Sequence, residues 1–216
     1  MAISVAKTKV HTIYKLADGT RVPGCTTVTG QLNKPALIGW ANRLGLEGVD
    51  ATKYRDQAAE IGTLAHHMIE CDLKGKEPDT SDYSKNQIGD AETCFLKYLD
   101  WKSQYDIEPL WLEEPMVSEK HRYGGTPDIP CRLNGIPALL DIKTSDGIYK
   151  EYLYQVAGYD RLLREVRDFH PEAWGIIRFG KKSREDFEFK RISSIEPYWN
   201  VFECLLNLYY AIQEAK

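Results

Sequence analysis

No run of about 18 apolar residues occurs in the 216-residue chain, so no segment of it is expected to span a membrane. Cysteine is sparse and scattered: Cys25, Cys71, Cys94, Cys131 and Cys204 form no C-x-x-C pair, which removes the usual seed of a zinc knuckle or an iron-sulfur cluster. These five read instead as small buried hydrophobes in a reducing compartment. The H-E-x-x-H of zinc peptidases is missing, and so is the G-x-x-x-x-G-K-[S/T] of phosphate-binding loops, so neither peptide hydrolysis nor nucleotide hydrolysis is expected. The stretch from Met1 to Lys7 has no apolar core of signal-peptide length, because Lys7, Lys9 and His11 interrupt it; a cytoplasmic location follows as an expectation. There is no excess of basic charge either. A net charge of -4 excludes a protein that coats nucleic acid over its whole surface and leaves room only for a local patch. The best candidate patch runs from Arg178 to Arg191, where Arg178, Lys181, Lys182, Arg184, Lys190 and Arg191 face only Glu185, Asp186 and Glu188; a solvated hairpin is the competing reading.

What is present is an ordinary globular composition, with 43% hydrophobic and 28% charged residues, long enough for one sizeable core. With no internal repeat or Pro/Gly-rich linker, residues 1–216 are expected to form one domain. Its first part, 1–105, would be a hairpin plus a helical front end, and 106–216 a sheet with flanking helices. His11 to Val28 reads as a hairpin turning at Asp18-Gly19, followed by a short helix opened by Asn33 and Pro35 and closed near Gly45. A helix from about Tyr54 to Leu73 carries Ile61, Ala65, Met68 and Ile69 on one face, and the polar segment Lys74 to Ser84 joins it to a second helix over Asn86 to Tyr105. The apolar period then changes. Leu110 to Val117, Tyr123 to Leu133 and Ala138 to Lys143 read as strands, with turns at Tyr123-Gly124-Gly125 and Asn134-Gly135. A helix with Tyr152, Val156, Tyr159, Leu163 and Val166 in its stripe follows. Two more strands, Ala173 to Phe179 and Asp186 to Ile192, precede a last helix with Phe202, Leu205, Leu206, Tyr209 and Ile212. This order predicts an α/β body with a central mixed sheet flanked by helices.

The sharpest anomaly is Ala138-Leu139-Leu140-Asp141-Ile142-Lys143-Thr144, a strand of core-like hydrophobicity with two opposite charges on one face. An edge strand with a solvated ion pair would explain it equally well in isolation. Upstream, Gly124-Gly125-Thr126-Pro127-Asp128 places another carboxylate, which alone reads as a turn residue. If the two strands pair around Asn134-Gly135, Asp128 and Asp141 lie at similar distances from the turn and can converge. Two carboxylates brought together repel unless a cation sits between them, and hard oxygen ligands suit Mg2+ or Mn2+. Lys143 would then neutralise charge developing on a phosphoryl group. On the helix before, Gly62, His66 and Glu70 fall in one line off the apolar face; a surface histidine is the plain reading, but Gly62 leaves a gap beside an imidazole and a carboxylate. Gln155 and Tyr159, one turn apart, read as a helix-face amide and a core aromatic. Trp40, Tyr54, Tyr98 and Trp101 in the helical front are core residues or stacking surfaces for unpaired bases.

Taken in order, G-x-x-x-H-x-x-x-E (Gly62, His66, Glu70), G-G-x-P-D (Gly124 to Asp128), D-I-K-T (Asp141 to Thr144) and Q-x-x-x-Y (Gln155, Tyr159) resemble the motifs of the RecB-like exonucleases. These belong to the PD-(D/E)xK superfamily, with phage recombination exonucleases and the mitochondrial genome maintenance exonuclease. The match spans Gly62 to Tyr159, about half the chain. The resemblance implies a restriction-endonuclease-like fold and metal-dependent cutting of DNA, most readily linear, end-bearing DNA, to a 5'-phosphate product. By it, His66 and Asp128 are metal ligands, Asp141 the central bridging ligand and the carbonyl of Ile142 a further one. Lys143 is the catalytic lysine, Gln155 and Tyr159 hold the lysine and the DNA backbone, Glu70 ends the helical motif, and Glu114 is the additional carboxylate. It leaves room for a recombinase or single-strand annealing protein as partner. The chain departs from the pattern at Ile61, where many relatives have an arginine that contacts phosphate. It also lacks the cysteines of the iron-sulfur members and any helicase portion, so neither a cluster nor a nucleotide is expected. Three rivals stand beside this reading: a non-catalytic DNA-binding or assembly module on the same scaffold, an endonuclease of the superfamily, and a metal-dependent phosphatase. Retaining Asp128, Asp141 and Lys143 together argues against the first, because unpaired buried charges cost several kcal/mol, roughly, when nothing uses them.

Overall fold

Ser84 opens a helix through a reciprocal exchange: its hydroxyl accepts the Gln87 N–H while the Gln87 side chain takes the Ser84 N–H at 3.0 Å. Such a capping box satisfies two N–H groups that a helix start leaves orphaned. Asp50 does the same for the preceding helix, accepting from the N–H groups of Thr52 and Lys53. The computed structural model describes residues 3–4, 12–183 and 185–215. In chain order its elements are β1 (Ile3–Ser4), β2 (Tyr14–Lys15), β3 (Arg21–Val22), α1 (Cys25–Thr29), α2 (Pro35–Leu46), α3 (Ala51–Leu73), β4 (Pro78–Asp79), α4 (Lys85–Lys102), β5 (Ile107–Pro109), β6 (Met116–Ser118), β7 (Tyr123–Gly125), β8 (Ile129–Leu133), β9 (Ile136–Lys143), α5 (Lys150–Arg167), β10 (Ala173–Phe179), β11 (Phe187–Ile192) and α6 (Glu196–Glu214).

The body is α/β, as expected, with a five-stranded sheet in the order β11-β10-β9-β8-β5. It is mixed: β9 runs parallel to β10 and antiparallel to β8. Strand β9 is therefore central, which removes the edge-strand explanation for Asp141 and Lys143. Its alternation feeds two cores. Ala138, Leu140 and Ile142 pack with Leu64, Met68, Cys94 and Tyr98 from α3 and α4, while Leu139 packs with Val156, Leu163 and Phe202 from α5 and α6. Each fully buried aliphatic side chain is worth about 1.5–3 kcal/mol, so the sheet is held from both sides. Both faces are core, including the one that carries Asp141 and Lys143.

Several expectations shift. The hairpin β2–β3 turns at Asp18-Gly19 as read, but the chain then enters helix α1 instead of remaining extended to Val28; His11 lies outside the described residues. The strand expected over Leu110 to Val117 bends at residues 111–113, where Glu113 adopts a left-handed φ of 53°. The Tyr123-Gly124-Gly125 turn is instead strand β7, paired with β6, and the reversal comes earlier, with Arg122 at φ 60°. The strand expected from Tyr123 to Leu133 breaks at Thr126-Pro127-Asp128 into β7 and β8. The Asn134-Gly135 turn stands: both residues have positive φ, 51° and 79°, which suits a two-residue hairpin turn. Four cysteines are buried, and Cys204 is exposed. Among the described residues no helix is long and apolar enough to cross a membrane.

Candidate metal centre

The β8–β9 hairpin pairs Leu133 with Ile136 and Ile129 with Leu140, so one further step sets Asp128 opposite Asp141. At that step the ladder is made by a side chain. Oδ2 of Asp128 accepts the Ile142 N–H at 2.8 Å, where a continuing strand would offer a carbonyl. The carboxylate is thereby pinned to the strand that carries Asp141 and Lys143.

Asp141 is fully buried, and Nζ of Lys143 lies 2.5 Å from its Oδ2. That contact is close without being aligned, since neither carboxylate oxygen has a well-formed hydrogen-bond partner among the described residues. Burial raises the Asp141 carboxyl to about 6; Lys143 opposes the rise and the charge of Asp128 adds to it. Burial by itself would lower the Lys143 ammonium, but the facing carboxylates of Asp141 and Asp128 carry it above its ordinary value. Lys143 also lies over the Tyr152 ring, 4.9 Å from its centroid.

Helix α3 brings His66 from the other face. Its Nδ1 is 3.6 Å from Oε1 of Glu113 and 3.7 Å from Oδ2 of Asp128, beyond hydrogen-bond range, and it is a buried nitrogen with no hydrogen-bond partner among the described residues. One ligand atom from each of His66, Glu113 and Asp128 lies within 4.8 Å of the others. Ligand atoms held at roughly 2 Å from one small divalent ion stand a few ångströms apart, so this group fits a cation without large movement. The His66 nitrogen, buried without a hydrogen-bond partner among the described residues and facing two carboxylates, suits a cation's ligand set. His66, Glu113, Asp128 and Ile142 line a common recess.

Glu113 was not anticipated; Glu114 was named in its place. Glu114 turns outward and pairs with Arg167 at 2.5 Å, while the left-handed backbone at Glu113 swings its carboxylate inward. Such a conformation costs a non-glycine residue about 1–3 kcal/mol and persists where the surroundings impose it. The adjacent glutamates were visible in the sequence, but the bend that selects between them was hidden by the expected strand. Glu70 lies a turn beyond His66 and pairs with Lys74 at 2.6 Å. It also lines the recess of His66, Glu113 and Asp128, and an adjoining cavity of about 370 Å3 with Leu73, Leu110 and Glu114, though it is not one of the three clustered ligand groups.

Gln155 and Tyr159 are buried on α5 and engage each other, the amide donating to the Tyr159 hydroxyl at 2.6 Å. Lys143 pairs with Asp141 and lies over Tyr152, while the Gln155 amide is engaged by Tyr159. The gap at Gly62 admits Thr144: a Cβ there would meet the Thr144 hydroxyl at 2.8 Å, so α3 lies close on the end of β9. The first half of the basic segment spends its charge within the fold, while Lys190 and Arg191 on β11 are exposed. Arg178 is buried against Asp186 at 2.6 Å, Lys181 donates to the Thr144 carbonyl at 2.7 Å and Lys182 pairs with Asp146 at 3.2 Å; Arg184 lies outside the described residues. The hairpin reading accounts for these contacts. Of the four front-end aromatics, Tyr98 and Trp101 are core, and Trp40 and Tyr54 form an edge-on pair at 6.0 Å.

No family model matches the chain, and a search of curated proteins returns no match. Among solved structures, the crystal structure of LHK-Exo in complex with dAMP is similar over 70% of this chain and 78% of that one, at 13% sequence identity and a TM-score of 0.42.

Proposed function

We propose that the chain is a divalent-metal-dependent deoxyribonuclease of the exonuclease type, hydrolysing phosphodiester bonds at the end of β9. The observation that carries this reading is the convergence of His66, Glu113 and Asp128 within 4.8 Å, with Asp128 tied to the strand of the Asp141–Lys143 pair. The four ordered motifs from Gly62 to Tyr159 give that convergence its chemical sense. Magnesium or manganese would be held by His66, Asp128, Asp141 and the Ile142 carbonyl, with Glu113 as the added carboxylate, and would supply Lewis acidity toward water and a phosphoryl oxygen.

The chain's own groups divide the remaining tasks. Asp128 and Glu113 hold negative charge on the His66 side of the strand, and Asp141 holds it on the Lys143 side. Lys143 keeps its proton and presents an ammonium to the negative charge that builds on the phosphoryl group. The apolar walls from Leu112, Ile129 and Ile142 lower the local dielectric, which strengthens each of these interactions.

The test is digestion of end-labelled linear and closed circular DNA with magnesium or manganese, beside Asp141→Ala and Lys143→Ala. Linear DNA is expected to be degraded, chelator to stop it, and each substitution to lower kcat by roughly 10²-fold or more while the protein stays folded. Circular DNA cut as readily as linear would convert the assignment to an endonuclease. A fully active Lys143→Ala protein would remove the proposed chemistry.

A further inference from the structure

Two side chains of opposite kinds hold the Lys143 ammonium: a buried carboxylate and the face of an aromatic ring. The carboxylate is a shared resource, because Asp141 is also the group expected to face a bound cation. A lysine anchored by Asp141 alone would lose or follow its partner whenever that carboxylate engaged something else. The ring of Tyr152 does not have this conflict. An aromatic face attracts an ammonium through its quadrupole and carries no net charge, so it adds no further anion to Asp128, Asp141 and Glu113.

Placement supports the same conclusion. Tyr152 stands in the first turn of α5, its N–H bonded to the Tyr149 carbonyl at 3.1 Å. The Tyr149 ring packs edge-on against it with centroids 5.6 Å apart, which limits how the Tyr152 ring can tilt. Gln155, a turn further along, is spent on Tyr159. We infer that Tyr152 is the positioning residue for Lys143, holding the ammonium over its ring so that the lysine stays in place when Asp141 turns to another partner. The inference rests on the hydrolytic role proposed for Lys143.

Two variants separate the ring's electrostatic role from simple filling of space. Tyr152→Phe keeps the aromatic face, and Tyr152→Leu keeps only apolar bulk, with Tyr152→Met as the substitute if the leucine protein does not fold. On linear DNA with manganese, the leucine protein is expected to lose roughly tenfold in kcat with little change in KM, and the phenylalanine protein to stay near the wild type. In parallel, carbon-13 labelling of lysine gives a direct signature. The Lys143 εCH2 signal, identified by its loss in Lys143→Arg, should lie upfield in the wild type and in Tyr152→Phe through the ring current, and move to the ordinary lysine position in Tyr152→Leu. A folded leucine protein with wild-type kcat, a phenylalanine protein as impaired as the leucine one, or a wild-type Lys143 signal with no ring-current shift would each overturn the inference. If the wild type cuts no DNA under any metal, the proposed function fails by itself, and the spectral comparison alone decides whether the ring holds the lysine.

Discussion

Asp141 binds its proton more tightly in the folded chain than out of it, because water is excluded from both of its oxygens and Asp128 stands nearby. The unfolded carboxyl titrates near 3.8 and the folded one near 6, so the folded state holds the extra proton between those values. The contribution of this residue to stability is therefore greatest below about pH 4 and is lost as pH rises through 6. Urea unfolding of metal-free wild type and Asp141→Asn across that range should show the wild type losing stability relative to the variant, with the two curves parallel above pH 7. Parallel curves throughout would mean that burial does not raise the Asp141 carboxyl. At this scale Asp141 and Lys143 stood out in the sequence, because charges in an apolar strand need a reason to be there, and Asp128 through its matching distance from the Asn134-Gly135 turn. His66 was legible only through its spacing from Gly62 and Glu70. Glu113 and Tyr152 were not legible: one depends on a backbone bend and the other on how α5 docks against β9.

Elements were predictable where a period ran long and uncertain where the chain changed direction. The Ala173–Phe179 strand was read to the residue, α3 and α4 within a few, and the apolar stripes read for the last two helices fall within α5 and α6. The region from Leu110 to Asp128 was not, because its short strands β6 and β7, paired with each other, are packed by segments distant in sequence. Gly124 shows why. The Tyr14 ring from the N-terminal hairpin occupies the place where a Gly124 side chain would stand, and the Tyr14 hydroxyl sits 2.8 Å from Oγ1 of Thr126. The glycine pair that reads as a turn is thus a slot for an aromatic ring on one side and for Tyr159 and Leu162 on the other. Gly124→Ala should cost about 1–3 kcal/mol in chemical unfolding, the usual range for overpacking. Adding Tyr14→Ala should recover part of that loss, so that the double mutant is less destabilised than the sum of the singles. Strict additivity would show that the ring does not fill this space.

For the molecule as a whole, the donor set joins the two cores. His66 comes with the α3–α4 side and Lys143 with the α5 side, and the central strand lies between them. A cation bound there stabilises the folded state by mass action, about 2.7 kcal/mol at a hundredfold excess over Kd. For a chain of this size that corresponds to roughly 5–10 °C in Tm. Thermal melts with and without manganese should show a shift of that order, absent in His66→Ala and in Asp128→Ala. An equal shift in all three proteins would place the ion elsewhere.

The side chains around β9 are contributed by segments far apart along the polypeptide, from His66 on α3 to Tyr152 on α5. During synthesis the histidine therefore emerges well before the aspartate, and the aspartate before the ring that steadies its lysine. A nascent or truncated chain would carry the ligands without their assembly, and any hydrolytic capacity would arrive only with the closing of the last helices. Under the proposed function, completion of folding would itself act as the safeguard against premature cutting.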